Sequence, residues 1–430
     1  MRLLLISLDS AFCEDAETLL NLPHLGALAG RGVFCDHVQT IYPTLTYPVH
    51  TSLITGCYPG QHGILHNELH MPELPGGHRP WYWDARDIQV ETLHTAAARA
   101  GREVASILWP VTGHHKGIRY NFPEVLALPG ENQVLKILRY GSAWWLLKDE
   151  LRYGRTRPNT QQPHLDRYAA LVTRKLMERQ YYPGKHRGRY GDVEASPKLK
   201  RRHMPDMMTL HLTDLDTQRH RYGTRSPEAG AAMVRLDQLV GGLLETLEKH
   251  QVFHDTVIAV VSDHGQEDIT ETFALDQWLQ ANQVPARAQT LGLGAYIHCE
   301  RGQWRNVAAL LHQHKDDLRI GHVYERPELQ AMGMGEHLEL AVEAAQGVEI
   351  VDTVDDRPHR ATHGFGLGHK GAQCLLWLAG PGIRTGVRLE RARLVDIAPT
   401  LAHAVGLHLP QAQGSVMTEV FTAPVRPEDV

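Results

Sequence analysis

Leu3-Leu4-Leu5-Ile6-Ser7-Leu8-Asp9 is the stretch on which the fold turns. It is a short, almost uninterrupted apolar run that stops at a carboxylate. A parallel strand covered by helices on both faces has this pattern, because it has no solvated side on which polar residues would alternate. Open α/β sheets take their ligands at the carboxyl ends of such strands, so Asp9 stands where chemistry is expected. Two further stretches repeat the design. Residues 207–213 (MMTLHLT) lead into Asp214 and Asp216, and residues 256–262 (TVIAVVS), rich in β-branched side chains, lead into Asp263. Residues 374–378 (CLLWL) make a fourth strand, followed by the turn Ala379-Gly380-Pro381-Gly382.

Between these strands the hydrophobic period changes. Residues 22–31 (LPHLGALAGR) read as a helix, and Pro48 opens another that runs through Ile54 with Gly56 just past its end. Ser226-Pro227-Glu228 starts a long helix. Its apolar positions Met233, Leu236, Val240, Leu243 and Leu247 recur at helical spacing. Residues 396–405 read as a late helix. Strands alternating with helices predict an α/β fold: a doubly wound, mostly parallel central sheet flanked by helices. The stretch 111–205 breaks the alternation. It holds a helix-like aromatic piece (Trp144, Trp145, Leu146, Leu147), and residues 174–202 carry ten Lys/Arg against three Asp/Glu. The expected organisation is a catalytic core of residues 1–110 and 206–430, with 111–205 inserted as a cap over the carboxyl edge of the sheet. The basic segment is a solvated surface or a guide for anionic substrates.

Composition narrows the class. The chain has 430 residues, Lys+Arg 44 against Asp+Glu 49, a net charge of -5 and 42% hydrophobic residues. These values exclude disordered and fibrous classes and argue against a nucleic-acid footprint over the whole chain. No apolar run approaches the length of a membrane span. The apolar stretch before Asp9 is too short for a signal peptide and has no small-residue cleavage site after it, so a cytoplasmic protein is expected. Five cysteines (Cys13, Cys35, Cys57, Cys299, Cys374), with no CxxC, suit reduced thiols. The 28 histidines raise the expectation of metal binding slightly.

The strand ends carry the chemistry. After Asp9 come Asp216-Thr217-Gln218-Arg219-His220, Asp263-His264-Gly265 and Thr362-His363-Gly364-Phe365. Taken singly, an Asp at a strand end is more often a helix cap, and a lone His a satisfied polar residue. Together they would crowd carboxylates and imidazoles at one sheet edge. Their mutual repulsion is relieved by cations, Zn²⁺ first and Mn²⁺ second. Thr46, just before the helix at Pro48, faces free backbone N–H groups as a nucleophile or as a plain cap.

The segment from Thr46-Tyr47-Pro48-Val49-His50 through Thr55-Gly56-Cys57-Tyr58-Pro59 to His62-Gly63-Ile64-Leu65-His66-Asn67 resembles the nucleophile segment of the nucleotide pyrophosphatase/phosphodiesterase family of the alkaline phosphatase superfamily. The family pattern is T-[FY]-P-N-H, then TG-x-YP-x-x-HGI-x-x-N. Trp109-Pro110, Asp216 to His220, Ser262-Asp263-His264-Gly265 and His363-Gly364-Phe365 resemble its other motifs in order. Departures are Val49 for Asn, Val111 for Gly, Arg219 for Gly, Gln266 for Met, and Gly366-Leu367 for Asp-Asn. His369 competes with His363, which is preferred because His-Gly is the motif's fixed part.

The resemblance implies an alkaline phosphatase-like fold and a two-metal site. One ion would be held by Asp216, His220 and His363. The other would be held by Asp9, Asp263, His264 and the Thr46 oxygen. It implies hydrolysis of phosphodiester or pyrophosphate bonds, with nucleotides as the small-molecule substrates, through a phospho-threonine on Thr46. Asn67 would donate its amide to a phosphoryl oxygen, and Tyr47 would offer a ring to a base. His211 and Asp214 are expected as supporting partners only. The rival activities are a phosphomonoesterase, with Lys116 or Arg119 supplying a cation, and a phosphonate hydrolase. A catalytically dead scaffold is the rival outside enzymology.

Overall fold

The computed structural model describes residues 1–74, 77–180, 203–353 and 359–425. Much of the basic stretch 174–202 therefore lies outside the described residues. Among the described residues, the largest sheet has nine strands. Its centre is Thr256–Val261, Arg2–Leu8 and Met207–Leu212, adjacent and parallel. Val104–Ile107 and then Tyr120–Phe122 extend it on one side, also parallel. On the other side Gln373–Ala379 runs antiparallel between Thr256–Val261 and Gly32–Gln39. The short strands Val387–Leu389 and Ala392–Arg393 complete the sheet beyond Gly32–Gln39.

The first strand shows why the sheet needs two covers. Leu4, Ile6 and Leu8 point into one apolar layer with Leu25, Leu28, Val172, Leu236 and Val240. Leu3 and Leu5 point into the other, with Leu53, Ile54, Leu93, Ala96 and Leu401. Successive side chains of a strand face opposite sides, so an apolar run with no alternation requires helices on both. Pro23–Gly30, His164–Met177 and Pro227–Lys249 cover the first face; Thr46–Thr55, Leu93–Arg99 and Ile397–Ala404 cover the second. Ser226 caps the long helix by accepting the Ala229 N–H.

Two features depart from the sequence-based expectation. Among its described residues, part of the stretch 111–205 is built into the core. Tyr120–Phe122 is a strand of the central sheet, and Tyr168, Val172, Leu176 and Met177 of the helix His164–Met177 belong to the main apolar layer. Residues 275–350 hold a second antiparallel sheet (Ala286–Thr290, Gly294–Cys299, Ile320–Glu325, Leu340–Ala344) with its own apolar cluster, which the sequence did not announce. All five cysteines are free thiols. No helix among the described residues is long and apolar enough to cross a membrane.

Candidate active site

The adjacency of the three central strands brings the acidic strand ends together. Asp9 follows Arg2–Leu8, Asp263 follows Thr256–Val261, and the turn after Met207–Leu212 opens the helix Asp214–Tyr222 that carries Asp216 and His220. Two groups of donor atoms result: Asp9, Asp263 and His264, and Asp216, His220 and His363, each with its atoms within 4.8 Å of one another. The His264 and His363 rings stack with centroids 3.9 Å apart, so the two groups abut.

The imidazoles are turned by backbone carbonyls. His220 donates Nδ1–H to the Ala361 carbonyl at 2.9 Å, and His363 donates Nδ1–H to the Thr44 carbonyl at 2.9 Å. Both Nε2 lone pairs are thereby left for the site, the usual arrangement behind a metal-binding histidine. Gly364 lets His363 come this close to the smaller sheet. A Cβ there would stand 1.8 Å from the Leu291 carbonyl oxygen, at a φ of +93°. His369 is held elsewhere: Nδ1 bonds Glu267, and Nε2 bonds Glu343 at 2.7 Å. His363, not its competitor, joins the cluster.

Electrostatics also fit a cation. Burial, with Asp263 and Asp216 nearby, pushes the Asp9 carboxyl well above its ordinary pKa. Asp263 is raised as well, chiefly by burial. Burial holds His264 down to about 4, so its ring is neutral and able to donate a lone pair. At Asp216 burial is outweighed by His220, and the pKa is lowered. Asp9 Oδ1 and Asp263 Oδ2 are buried without a hydrogen-bond partner. Buried, unpartnered carboxylate oxygens facing neutral imidazoles are the donor set that a divalent ion satisfies. A third grouping, His50, His211 and Asp263, is different. His50 already bonds the Thr46 carbonyl at 2.8 Å and Ser7 Oγ at 2.9 Å, and His211 bonds Asp9 Oδ2 at 3.0 Å. These two histidines orient Thr46 and Asp9.

Thr46 is the first residue of the helix Thr46–Thr55, with Leu45 as the cap, so the helix starts two residues before the expected Pro48. Its Oγ1 lies 3.3 Å from His264 Nε2. Asn67 accepts the Tyr47 N–H on Oδ1 at 2.9 Å, and it lines the same cavity as Thr46. With the oxygen so engaged, the amide NH₂ is the end left to donate.

Tyr47 corrects its expectation. Its ring is fully buried, edge-on to Trp81 with centroids 5.2 Å apart, and its hydroxyl donates to the Glu124 carbonyl. Trp81 is the ring that lines the cavity. Asp214 also stands apart, its carboxylate bound to Arg235 at 2.7 Å and to Gln218. Arg119 pairs with Glu103, and neither it nor Lys116 lines the cavity, whose cationic side chains among the described residues are Arg157 and Arg221.

Sequence reasoning missed three supporting residues. Thr44 accepts from both His363 Nδ1 and the Gly364 N–H. Gln266 donates its amide to the Asp216 carboxylate. Arg219 is 1% exposed, donates to the Ser10 carbonyl and pairs with Asp15 at 2.6 Å. Gln266 and Arg219 were visible only as departures from a motif; Thr44 gave no signal.

Residues 3–381 match the family model described as type I phosphodiesterase / nucleotide pyrophosphatase. Among curated relatives, venom phosphodiesterase 2 of Crotalus adamanteus is 24% identical over 284 residues, 62% of this chain and 27% of its own length. Human ectonucleotide pyrophosphatase/phosphodiesterase family member 1 is 25% identical over 279 residues, 61% of this chain and 23% of its own length. Human member 5 is 21% identical over 425 residues, 96% of this chain and 76% of its own length. The chain thus spans about a quarter of the venom enzyme and of member 1, and about three quarters of member 5. The solved structure of human member 5 superposes with a TM-score of 0.70 at 19% identity, covering 98% of this chain and 100% of that one. Murine member 5, an inactive threonine-to-alanine variant in complex with AMP, gives 0.68 at 18% identity, with 96% and 97% covered. These superpositions show the fold, which is alkaline phosphatase-like. With the match to the family model running through the strand ends, the two donor clusters and Thr46, the chain belongs to the type I phosphodiesterase/nucleotide pyrophosphatase family.

Proposed function

We propose that the protein hydrolyses phosphodiester or pyrophosphate bonds of small molecules through a phospho-threonine on Thr46, with two divalent cations, zinc first and manganese second. The observation that carries this is the abutment of two donor clusters beside one hydroxyl, with Thr46 Oγ1 3.3 Å from His264 Nε2. Asp216, His220 and His363 would hold one ion, and Asp9, Asp263, His264 and the Thr46 oxygen the other. Such ions lower the pKa of a coordinated hydroxyl and neutralise the attacking and leaving oxygens of an in-line displacement.

The chain's own residues do the rest. His50 fixes the first turn of the Thr46 helix through the Thr46 carbonyl. Thr46 Oγ1 forms a bond to phosphorus as the bond to the leaving oxygen breaks. Asn67 donates its NH₂ to a non-bridging oxygen, where charge grows. A water then attacks phosphorus from the vacated side and frees Thr46. The names of the relatives, and the AMP held by the murine structure, support nucleotides as the first substrates to try. The monoesterase alternative loses its expected cations, since Lys116 and Arg119 lie outside the cavity.

The test is a panel of bis-p-nitrophenyl phosphate, p-nitrophenyl phosphate, nucleotide pyrophosphates and phosphonoacetate, on wild type and Thr46→Ala. Diesters or pyrophosphates should turn over fastest. Thr46→Ala should lose roughly 10³-fold or more in kcat while keeping its metal. Turnover retained in Thr46→Ala, or a monoester or phosphonate preferred, refutes the assignment.

A further inference from the structure

After His363-Gly364-Phe365 the family motif continues with Asp, and this chain has Gly366 there. The backbone does not call for the glycine, since Gly366 lies outside the left-handed region. Space does. A Cβ on residue 366 would stand 2.1 Å from Tyr324 Oη and 2.2 Å from Glu343 Oε2. Both groups come from the smaller sheet, from the strands Ile320–Glu325 and Leu340–Ala344. A carboxylate from a distant strand thus fills the place where a side chain on residue 366 would begin. It is held there firmly. Glu343 Oε2 accepts the Tyr324 hydroxyl at 2.6 Å and the Gly366 N–H at 2.8 Å, and Oε1 meets His369 Nε2 at 2.7 Å. His369 Nδ1 in turn bonds Glu267, three residues past His264. Burial of Glu343 is outweighed by His369 and Tyr324, so its pKa is lowered and it stays charged. Leu293, just before the strand Gly294–Cys299, adds a bond from its N–H to the His363 carbonyl at 2.9 Å.

Resting on the metal site assigned above, we propose that Glu343 is a positioning residue for His363, supplying from the smaller sheet the carboxylate that position 366 lacks. Gly366 and Glu343 are then two halves of one exchange: the loop gave up its side chain, and the sheet filled the space with a charge. The loop 363–369 is pinned on that one carboxylate at two points, the Gly366 N–H and the His369 ring. Hydrogen bonds to an ionised acceptor are the strong ones, and they fix the path of the loop whose first residue carries the ligand ring. Thr44 aims the His363 imidazole, and Glu343 holds the backbone from which that ring projects. The smaller sheet carries none of the assigned ligands, yet on this reading it helps to set the geometry of the metal centre.

The experiment is a double-mutant cycle read as zinc affinity, by competition with a chromophoric chelator, with the urea midpoint measured beside it. Glu343→Ala removes the carboxylate, and Gly366→Asp forces a second one into the occupied space. Each should weaken zinc binding about 10- to 100-fold. The double variant, with its carboxylate on residue 366 and the space vacated, should return to within about threefold of wild type. Val342→Ala controls for stability alone. Its side chain is buried in the apolar cluster of the same sheet, so the urea midpoint should drop while zinc affinity stays within about twofold of wild type. Zinc affinity unchanged in Glu343→Ala, a double variant no better than the single ones, or an equal loss in Val342→Ala overturns the positioning role. Should Glu343→Ala not fold, folding and zinc binding recovered in the double variant support the exchange, and a double variant that also fails overturns it. A wild type that binds no zinc refutes the metal site itself. A wild type that binds two, with an indifferent Glu343→Ala, refutes the positioning role alone.

Discussion

Replacing Arg219 by glycine tests how a ligand carboxylate is aimed. The guanidinium is buried, pairs with Asp15 at 2.6 Å, donates to the Ser10 carbonyl and lies 5.0 Å over the Phe12 ring. Ser10 sits in the left-handed region at φ 71°, an uncommon place for a residue with a side chain. Its N–H donates to Asp263 Oδ1 at 3.0 Å. Arg219 therefore grips the carbonyl of the residue whose N–H orients Asp263. Deleting one member of a buried pair costs about 3–5 kcal/mol, because Asp15 is left charged and without its partner. With m of about 3 kcal/mol/M for a chain of this size, the urea midpoint should drop by roughly 1 M or more. Loosening the support behind a ligand typically weakens metal binding about 10- to 100-fold. Zinc affinity, measured by competition with a chromophoric chelator, should fall by that amount in Arg219→Gly and by less in Arg219→Lys, which keeps the charge near Asp15. A lower midpoint with zinc affinity within twofold of wild type would show that Arg219 braces the loop without aiming Asp263. An unchanged midpoint would refute the clamp itself.

Gln266→Met, which restores the family residue, removes the amide that holds Asp216; zinc affinity at that cluster should fall about tenfold with stability nearly unchanged, read from the chelator competition. Asn67→Ala should lower kcat by roughly 10²–10³-fold at constant metal content, as expected for one lost oxyanion donor; a change in KM alone would remove Asn67 from the reaction. His369 has its pKa raised to about 10 by its bonds to Glu267 and Glu343. A raised folded-state pKa stabilises at pH values below the unfolded pKa of about 6.5 and loses that contribution as pH climbs toward the folded value. The urea-midpoint gap between wild type and His369→Gln should be largest near pH 6 and close by about pH 10; a gap independent of pH would mean that the clamp is not ionic.

The parts of the fold and site that the sequence disclosed share one physical cause. Residues 3–8, 207–212 and 256–261 are buried on both faces, so few polar residues (Ser7, Thr209, His211 and Thr256) interrupt them, and the carboxylates that follow meet because the three strands are neighbours. Gly32–Gln39 escaped notice because Asp36 and His37 break its apolar run. The smaller sheet escaped because its strands are short and mixed, as in Ala286–Thr290 (ARAQT). Tyr47 shows the limit of adjacency. One residue along a helix turns the side chain by about 100°, so the neighbour of a nucleophile can face the core rather than the cavity. Trp81, which lines the cavity, is distant in sequence and carries no motif. Arg219 is legible as a residue, but its partners Ser10 and Asp15 come from the segment after the first strand, some two hundred residues away, and only the sheet order brings them together.

The central claim is that two cations are caged against the Thr46 hydroxyl. Anomalous diffraction at the zinc absorption edge, from crystals grown with zinc, tests it directly. Two peaks should appear, one within about 2.0–2.2 Å of Asp216, His220 and His363 and one at similar distances from Asp9, Asp263, His264 and Thr46 Oγ1. A single peak, or two peaks with Thr46 in contact with neither, would contradict it.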